Sequence, residues 1–184
     1  MNRIPSYLFA CLLLLPLAGW SAVADGLLLS GFESPGEWVL EGRKTTEPFT
    51  LETSPAKVKE GRSSAKWSQL DYNKWTRLAK VPADWSAYEA VSLWIYAEKA
   101  NGQQINFSVG SPSPESEQGY YLYSVKVDWT GWQQLVVPFS RFKSPRKTAG
   151  WSKIASFKIT AGGWGAEPLP DTVLYLDDLR LLRR

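Results

Sequence analysis

Apolar residues along this chain come in short runs, several strictly alternating, and almost nowhere at the spacing of an amphipathic helix. "VSLWIYA" (91–97) puts Val91, Leu93, Ile95 and Ala97 on one face and Trp94 and Tyr96 on the other. "QINFSV" (104–109) turns Ile105, Phe107 and Val109 inward and Gln104, Asn106 and Ser108 outward. In "KWTRLAK" (74–80) an inward Leu78 sends Trp75 and Arg77 outward. In "YYLYSVKV" (120–127) inward Val125 and Val127 bring Tyr121 and Tyr123 with them and leave Tyr120 and Lys126 outside. Trp67 is undecided, because Ala65 and Leu70 lie on opposite parities.

The pattern predicts strands over 27–33, 37–41, 48–53, 63–70, 73–80, 90–98, 103–109, 119–127, 132–138, 154–160 and 172–182. Many short strands with turn residues between them read as an all-β sandwich. Asn101-Gly102 predicts a hairpin joining two of them. "SPSPESEQG" (111–119) predicts a mobile loop, and "ADWSAYEA" (83–90) one helical turn folding Trp85 and Tyr88 over an edge of the core. In "DWTGWQQLVVPFSRF" (128–142), Thr130-Gly131 reads as a tight turn entering a strand that Pro138 ends.

The first 24 residues stand apart. Arg3 supplies a positive start, Leu8 to Ala18 an apolar stretch, and Ala22-Val23-Ala24 a small-residue cleavage signal. They read as a secretory leader cut after Ala24, which makes the protein secreted or periplasmic and leaves 25–184 as one domain. Cys11 weakly imitates a lipoprotein processing site, but it interrupts the hydrophobic segment rather than following it. No transmembrane segment is expected, since the apolar run is short for a span.

Cys11 is the only cysteine and there is no histidine, so Ser-His-Asp and Cys-His catalysis and most zinc sites are excluded. The full-chain net charge of +3 carries no nucleic-acid signature. Within it, residues 129–166 hold Arg141, Lys143, Arg146, Lys147, Lys153 and Lys158 and no acid. That segment is a solvated basic loop or a patch for an acidic glycan.

The ten tryptophans, all but Trp20 beyond the leader, are the strongest compositional signal. Outward Trp75, Trp94, Tyr96 and Tyr120, with loop residue Trp164, interleave with Arg77 and Gln104. Flat rings give apolar area to the C–H faces of sugars, while amides and guanidinium groups bond hydroxyls. These seven residues are the candidate carbohydrate-binding set. The alternative is that loops or a terminal strand cover some of the rings.

"GFESPGEW" (31–38), "EGRSSAKW" (60–67), "DWSAYEAVSLWIYAE" (84–98), "DWTGWQQLVVPFSRF" (128–142) and "VLYLDDLRL" (173–181) follow the order seen in galactose-binding-like jelly rolls. The chain resembles non-catalytic carbohydrate-binding modules, nearest to family 11 and the related domain of complex I intermediate-associated proteins. The resemblance implies a two-sheet antiparallel β-sandwich, a jelly roll, with first and last strands adjacent. It also implies that Trp129 and Trp132 close the core.

In "VLYLDDLRL" either parity points one carboxylate with the apolar residues, and an unpaired buried carboxylate is costly. The resemblance implies a structural calcium ion on Glu33 and Asp177, helped by carbonyls near Gly61 to Ser64. A plain ion pair with Arg180 or Arg62 is the alternative. The function read from all this is secreted, non-catalytic binding of a poly- or oligosaccharide, possibly acidic, by a monomer. Two others stay open: a jelly-roll lyase or glycosidase, and a protein-assembly or adhesion factor using the same face.

Overall fold

The computed structural model describes residues 26–41 and 47–183. The expected leader, the expected cleavage site after Ala24 and Cys11 lie outside the described residues. Eleven strands follow in order: β1 Gly26–Ser30, β2 Trp38–Leu40, β3 Thr50–Glu52, β4 Ser64–Trp67, β5 Trp75–Leu78, β6 Tyr88–Ala97, β7 Gln104–Gly110, β8 Tyr120–Lys126, β9 Gly131–Pro138, β10 Ser156–Thr160 and β11 Leu174–Arg183. Each falls on a predicted strand. One helical turn, α1 (Leu70–Asn73), separates β4 from β5. No helix among the described residues is long and apolar enough to cross a membrane.

The strands form two antiparallel sheets. One is ordered β3-β4-β11-β6-β9 with β1 also paired to β11, and the other β2-β5-β10-β7-β8. Their facing sides interdigitate. Val91, Leu93, Ile95 and Ala97 meet Ile105, Phe107 and Val109, all buried as their alternation predicts. An aromatic spine fills the rest. Phe32 stacks on Trp38 with centroids 5.6 Å apart, and Phe49, Trp67, Trp85 and Phe157 continue it edge-on or tilted. Trp67, ambiguous by parity, is fully buried.

Asn101-Gly102 does not make a hairpin. It carries the chain from β6 in one sheet to β7 in the other. A tight two-residue hairpin of that type needs positive φ at both central residues. Gly102 has φ +79° and Asn101 is not left-handed. The Asn101 amide instead donates to Thr172 and Asp171, pinning the crossing to the approach of β11. Segment 111–119 is likewise built rather than loose: Ser113 and Ser116 exchange backbone bonds, and Ser111 N–H donates to the Gly119 carbonyl at 2.8 Å. No helical turn forms over 83–90: the chain makes a tight turn in which Tyr88 N–H donates to the Trp85 carbonyl at 3.0 Å. Tyr88 opens β6, and the Trp85 ring is buried in the core rather than laid over an edge.

The acidic pair of β11 sits in a β-bulge. Asp177 pairs with Trp94, then Arg180 with Ser92, so two residues oppose Leu93 alone. Asp178 takes a left-handed φ of +50° to absorb the extra residue. Leu174 and Leu176 face the core before the bulge, Leu179 and Leu181 after it. The bulge therefore switches parity, and neither reading of the strand as regular is right. The ion pair with Arg180 exists at Asp178, 2.6 Å away, and not at Asp177.

Candidate functional site

The solvent side of the five-stranded sheet is built in cross-strand rows. Trp75, Thr160, Asn106 and Ser124 form one row; Arg77, Lys158, Ser108 and Leu122 the next; Ser156, Gly110 and Tyr120 a third. Trp164 joins from the turn after β10. Its own φ is +51°, between Gly163 at +82° and Gly165 at +81°. That run lets the backbone fold back over the sheet, with Gly163 packed against the Trp75 ring.

Buried Asn106 holds this turn in place. Its amide nitrogen donates to the carbonyls of Gly162 (3.4 Å) and Gly163 (3.2 Å). Its oxygen accepts from Gln104 (2.9 Å) and the Ser124 hydroxyl (2.7 Å). Both ends of the amide are satisfied, as burial requires.

Trp164 lies 5.5 Å from Trp75 and 5.7 Å from Tyr120, and its indole N–H donates to the Tyr120 hydroxyl at 2.9 Å. Beside these rings is a groove of about 440 Å³. Ser108, Gly110, Ser156 and Lys158 lie along its strands, and Glu117, Gln118 and Arg146 come from the loops beyond. Gly110 keeps the floor open, because a Cβ there would strike the Ser156 hydroxyl. Arg146 bonds the Gln118 side-chain carbonyl and stands 5.9 Å over the Tyr120 ring. Lys158 bonds Glu41 at 3.1 Å, and Arg77 lies 3.8 Å from the same carboxylate.

Of the seven residues expected to bind sugar, Trp75, Tyr120 and Trp164 therefore converge here. Arg77 is beside the groove but engaged by Glu41, and Gln104 is spent on Asn106. Ser108, Ser156, Gln118 and Arg146 were not singled out as sugar contacts. Only the outward parity of Ser108 and the basic segment pointed toward any of them.

Trp94 and Tyr96 lie on the other sheet, facing away from the groove. They point outward as expected, but segment 54–61 crosses over them. Lys57 Nζ sits 3.5 Å over Tyr96 and bonds Glu98 at 2.6 Å, and Lys59 Nζ sits 4.1 Å over Trp94. Trp132 shares that outer face with edge-on contacts to both rings, and its indole N–H donates to the Ala56 carbonyl at 3.3 Å. It does not close the core, because its pairing with Tyr96 fixes it on the outer side of β9. Trp129 does pack against the core.

The same segment and the two residues after it answer both carboxylates expected to hold calcium. Asp177 accepts the backbone N–H of Lys59 (2.8 Å) and Glu60 (3.1 Å), and its other oxygen that of Asp178 (2.8 Å). Glu33 accepts the N–H of Arg62 at 2.8 Å, with Arg62 Nε 3.9 Å away. Calcium takes six to eight oxygens. Here the loop turns amide donors toward both acids, and the described residues hold no metal-ligating cluster of three. The donor set does not fit the ion. Burial pushes the Asp177 carboxyl up to about 6, against the pull of its three amide bonds. At Glu33 burial pushes up as well, but the amide bonds from Arg62 and Ser63 outweigh it and hold the group low.

Solved structures of similar fold include carbohydrate-binding modules. The family 11 module of the cellulosomal cellulase Lic26A-Cel5E of Clostridium thermocellum superposes with a TM-score of 0.59 at 16% identity, over 89% of this chain and 97% of that one. A family 11 module from the same organism, in complex with a β-1,3-1,4-mixed-linked tetrasaccharide, gives 0.58 at 16% identity, over 86% and 95%. The family 30 module of the cellulosomal cellulase Cel9D-Cel44B of Clostridium thermocellum gives 0.54 at 14% identity, over 86% and 90%. No curated protein sequence matches significantly. The model of the carbohydrate-binding domain, family 11, matches residues 42–164, and by that match the chain belongs to the family.

Proposed function

We propose that the protein binds a poly- or oligosaccharide in the groove of the five-stranded sheet and does not cleave it. The convergence of Trp75, Trp164 and Tyr120, from three separate stretches of chain, on one groove carries this reading. Rings of this kind cover the apolar faces of pyranoses, and Ser108, Ser156 and Gln118 offer partners for hydroxyls. Family membership supports a carbohydrate-binding role.

Glycoside hydrolysis by the usual route needs two carboxylates flanking the bond. Glu117 is the only acid among the described residues lining the groove. That favours binding without catalysis. Secretion through the leader would bring the monomer to extracellular or periplasmic glycans. Arg146, which no carboxylate of the described residues pairs, makes an acidic glycan the finer form of the reading, with Glu117 on the same rim offsetting part of its charge. A glycan array on residues 25–184, run beside a reducing-end assay, tests it. Binding without new reducing ends is expected; no retained glycan, or release of sugar, overturns it.

A further inference from the structure

The groove of the five-stranded sheet does not run from edge to edge. Two strands, β10 and β7, lie between β5 and β8, and the two rows are four residues apart along the strands, so Trp75 and Tyr120 stand on backbones about 20 Å apart on a diagonal. Trp164 fills that span, touching the ring of each and hydrogen-bonded to the second. The three side chains make a diagonal bridge over the sheet.

Nothing passes beneath it. Gly163 is packed so closely on Trp75 that a Cβ would come within 2.8 Å of the ring. Gly163 and Ala166 exchange backbone bonds at 3.1 and 2.9 Å, and Asn106 pins the turn from below. Past the bridge the sheet offers the Asn106 amide, already satisfied, Gln104 and the Ser124 hydroxyl, which both donate to it, and the exposed Lys126 at the β8 edge. Toward β8 the groove meets segment 111–119, where Gly119 is packed tightly against the carbonyls of Ser111 and Lys147.

Trp164 itself is held in an uncommon state. A tryptophan with left-handed φ is strained, and such strain concentrates where a side chain has a task. Core packing does not explain it, since the ring is 38% exposed.

Resting on the sugar-binding reading of this groove, we infer that it takes the end of a glycan chain rather than a stretch of its interior. A chain bound through its middle must leave at both ends, and the bridge closes one of them. The space of about 440 Å³ suits a terminal unit of about two sugar rings. The terminal ring abuts Trp164, and the rest of the chain leaves over Lys158.

The test uses three soluble probes: mixed-linkage β-1,3-1,4-glucan, xylan and alginate. Each is offered intact and after partial hydrolysis to roughly tenfold more chain ends at equal mass, with binding followed by tryptophan fluorescence. For any probe that binds, affinity per unit mass should rise about tenfold on hydrolysis. Affinity per mass that is unchanged or lower overturns the inference while leaving sugar binding intact. The variant Trp164→Gly accepts the left-handed backbone without strain and so should fold. It should lose the dependence on chain ends; a variant that keeps it in full also overturns the inference. If no probe binds in either form, the sugar-binding reading fails, and chain-end recognition with it.

Discussion

The Asp177 carboxylate accepts the backbone N–H of Lys59 at 2.8 Å across 118 residues of sequence. With Glu60 on the same oxygen, it ties segment 54–61 to the bulge of β11. Burial pushes the carboxyl up to about 6, whereas an unfolded aspartate titrates near ~3.9. Between those values the folded chain holds a proton that the unfolded chain has lost. This group's contribution therefore favours folding most below about pH 4, declines as pH rises to 6, and is flat above. Asp177→Asn should abolish that slope and cost about 1–3 kcal/mol, because its amide hydrogens meet backbone N–H donors. Thermal unfolding of both proteins from pH 4 to 7 checks this; a wild-type-to-variant difference independent of pH would refute it.

Trp94→Ala should now lower stability, by about 1–3 kcal/mol for a half-buried ring, and leave glycan affinity unchanged. Trp132→Ala should behave the same way, since both rings lie beneath segment 54–61 on the sheet opposite the groove. Urea unfolding and affinity electrophoresis on the same preparations separate the two effects. Loss of glycan retention by either variant while it remains folded would put the site on the wrong sheet.

Trp75→Ala should do the reverse, costing about 1–3 kcal/mol of binding through lost ring contact. Isothermal titration with the best array ligand measures the loss, and circular dichroism confirms the fold. Unaltered affinity would remove this ring from the site.

Arg146→Ala should weaken binding of a uronic-acid or sulfated oligosaccharide and spare its neutral counterpart. The selective loss should fade between low and physiological salt, where exposed charges are screened over about 8–10 Å. Equal losses for both ligands at low salt would deny Arg146 any charge recognition.

Calcium removal should leave the melting temperature unchanged, because amide donors occupy the directions a cation would need. Glu33→Gln should lower stability equally in chelator and in calcium, through weaker acceptance of the Arg62 and Ser63 amides. A melting temperature that drops in chelator would restore the ion to the account.

The strands were legible because alternation and turn residues mark them locally. Which sheet each strand joins was not. Val91 to Ala97 revealed that Trp94 points outward, yet segment 54–61, thirty-odd residues earlier, decides that the ring is covered. Asn101-Gly102 carried hairpin chemistry, but Asp171 and Thr172 from far along the chain redirected it. Asp177-Asp178 looked like a parity conflict because a bulge leaves no mark in a two-residue alternation. The groove was half legible for the same reason: Trp75 and Tyr120 follow from parity, whereas Arg146 and Gln118 reach it only through loop geometry.

β11 is the last strand described, yet it lies inside its sheet, with β6 along one side and β1 and β4 along the other. During synthesis β1, β3 and β4 therefore emerge some hundred residues before the strand that joins them to β6. Loop closure over such distances is slow, and unpaired edges invite association meanwhile. The six-stranded sheet cannot close until the final strand has emerged. The chain should thus keep this sheet open until β11 has been made, and gain its cooperative fold late.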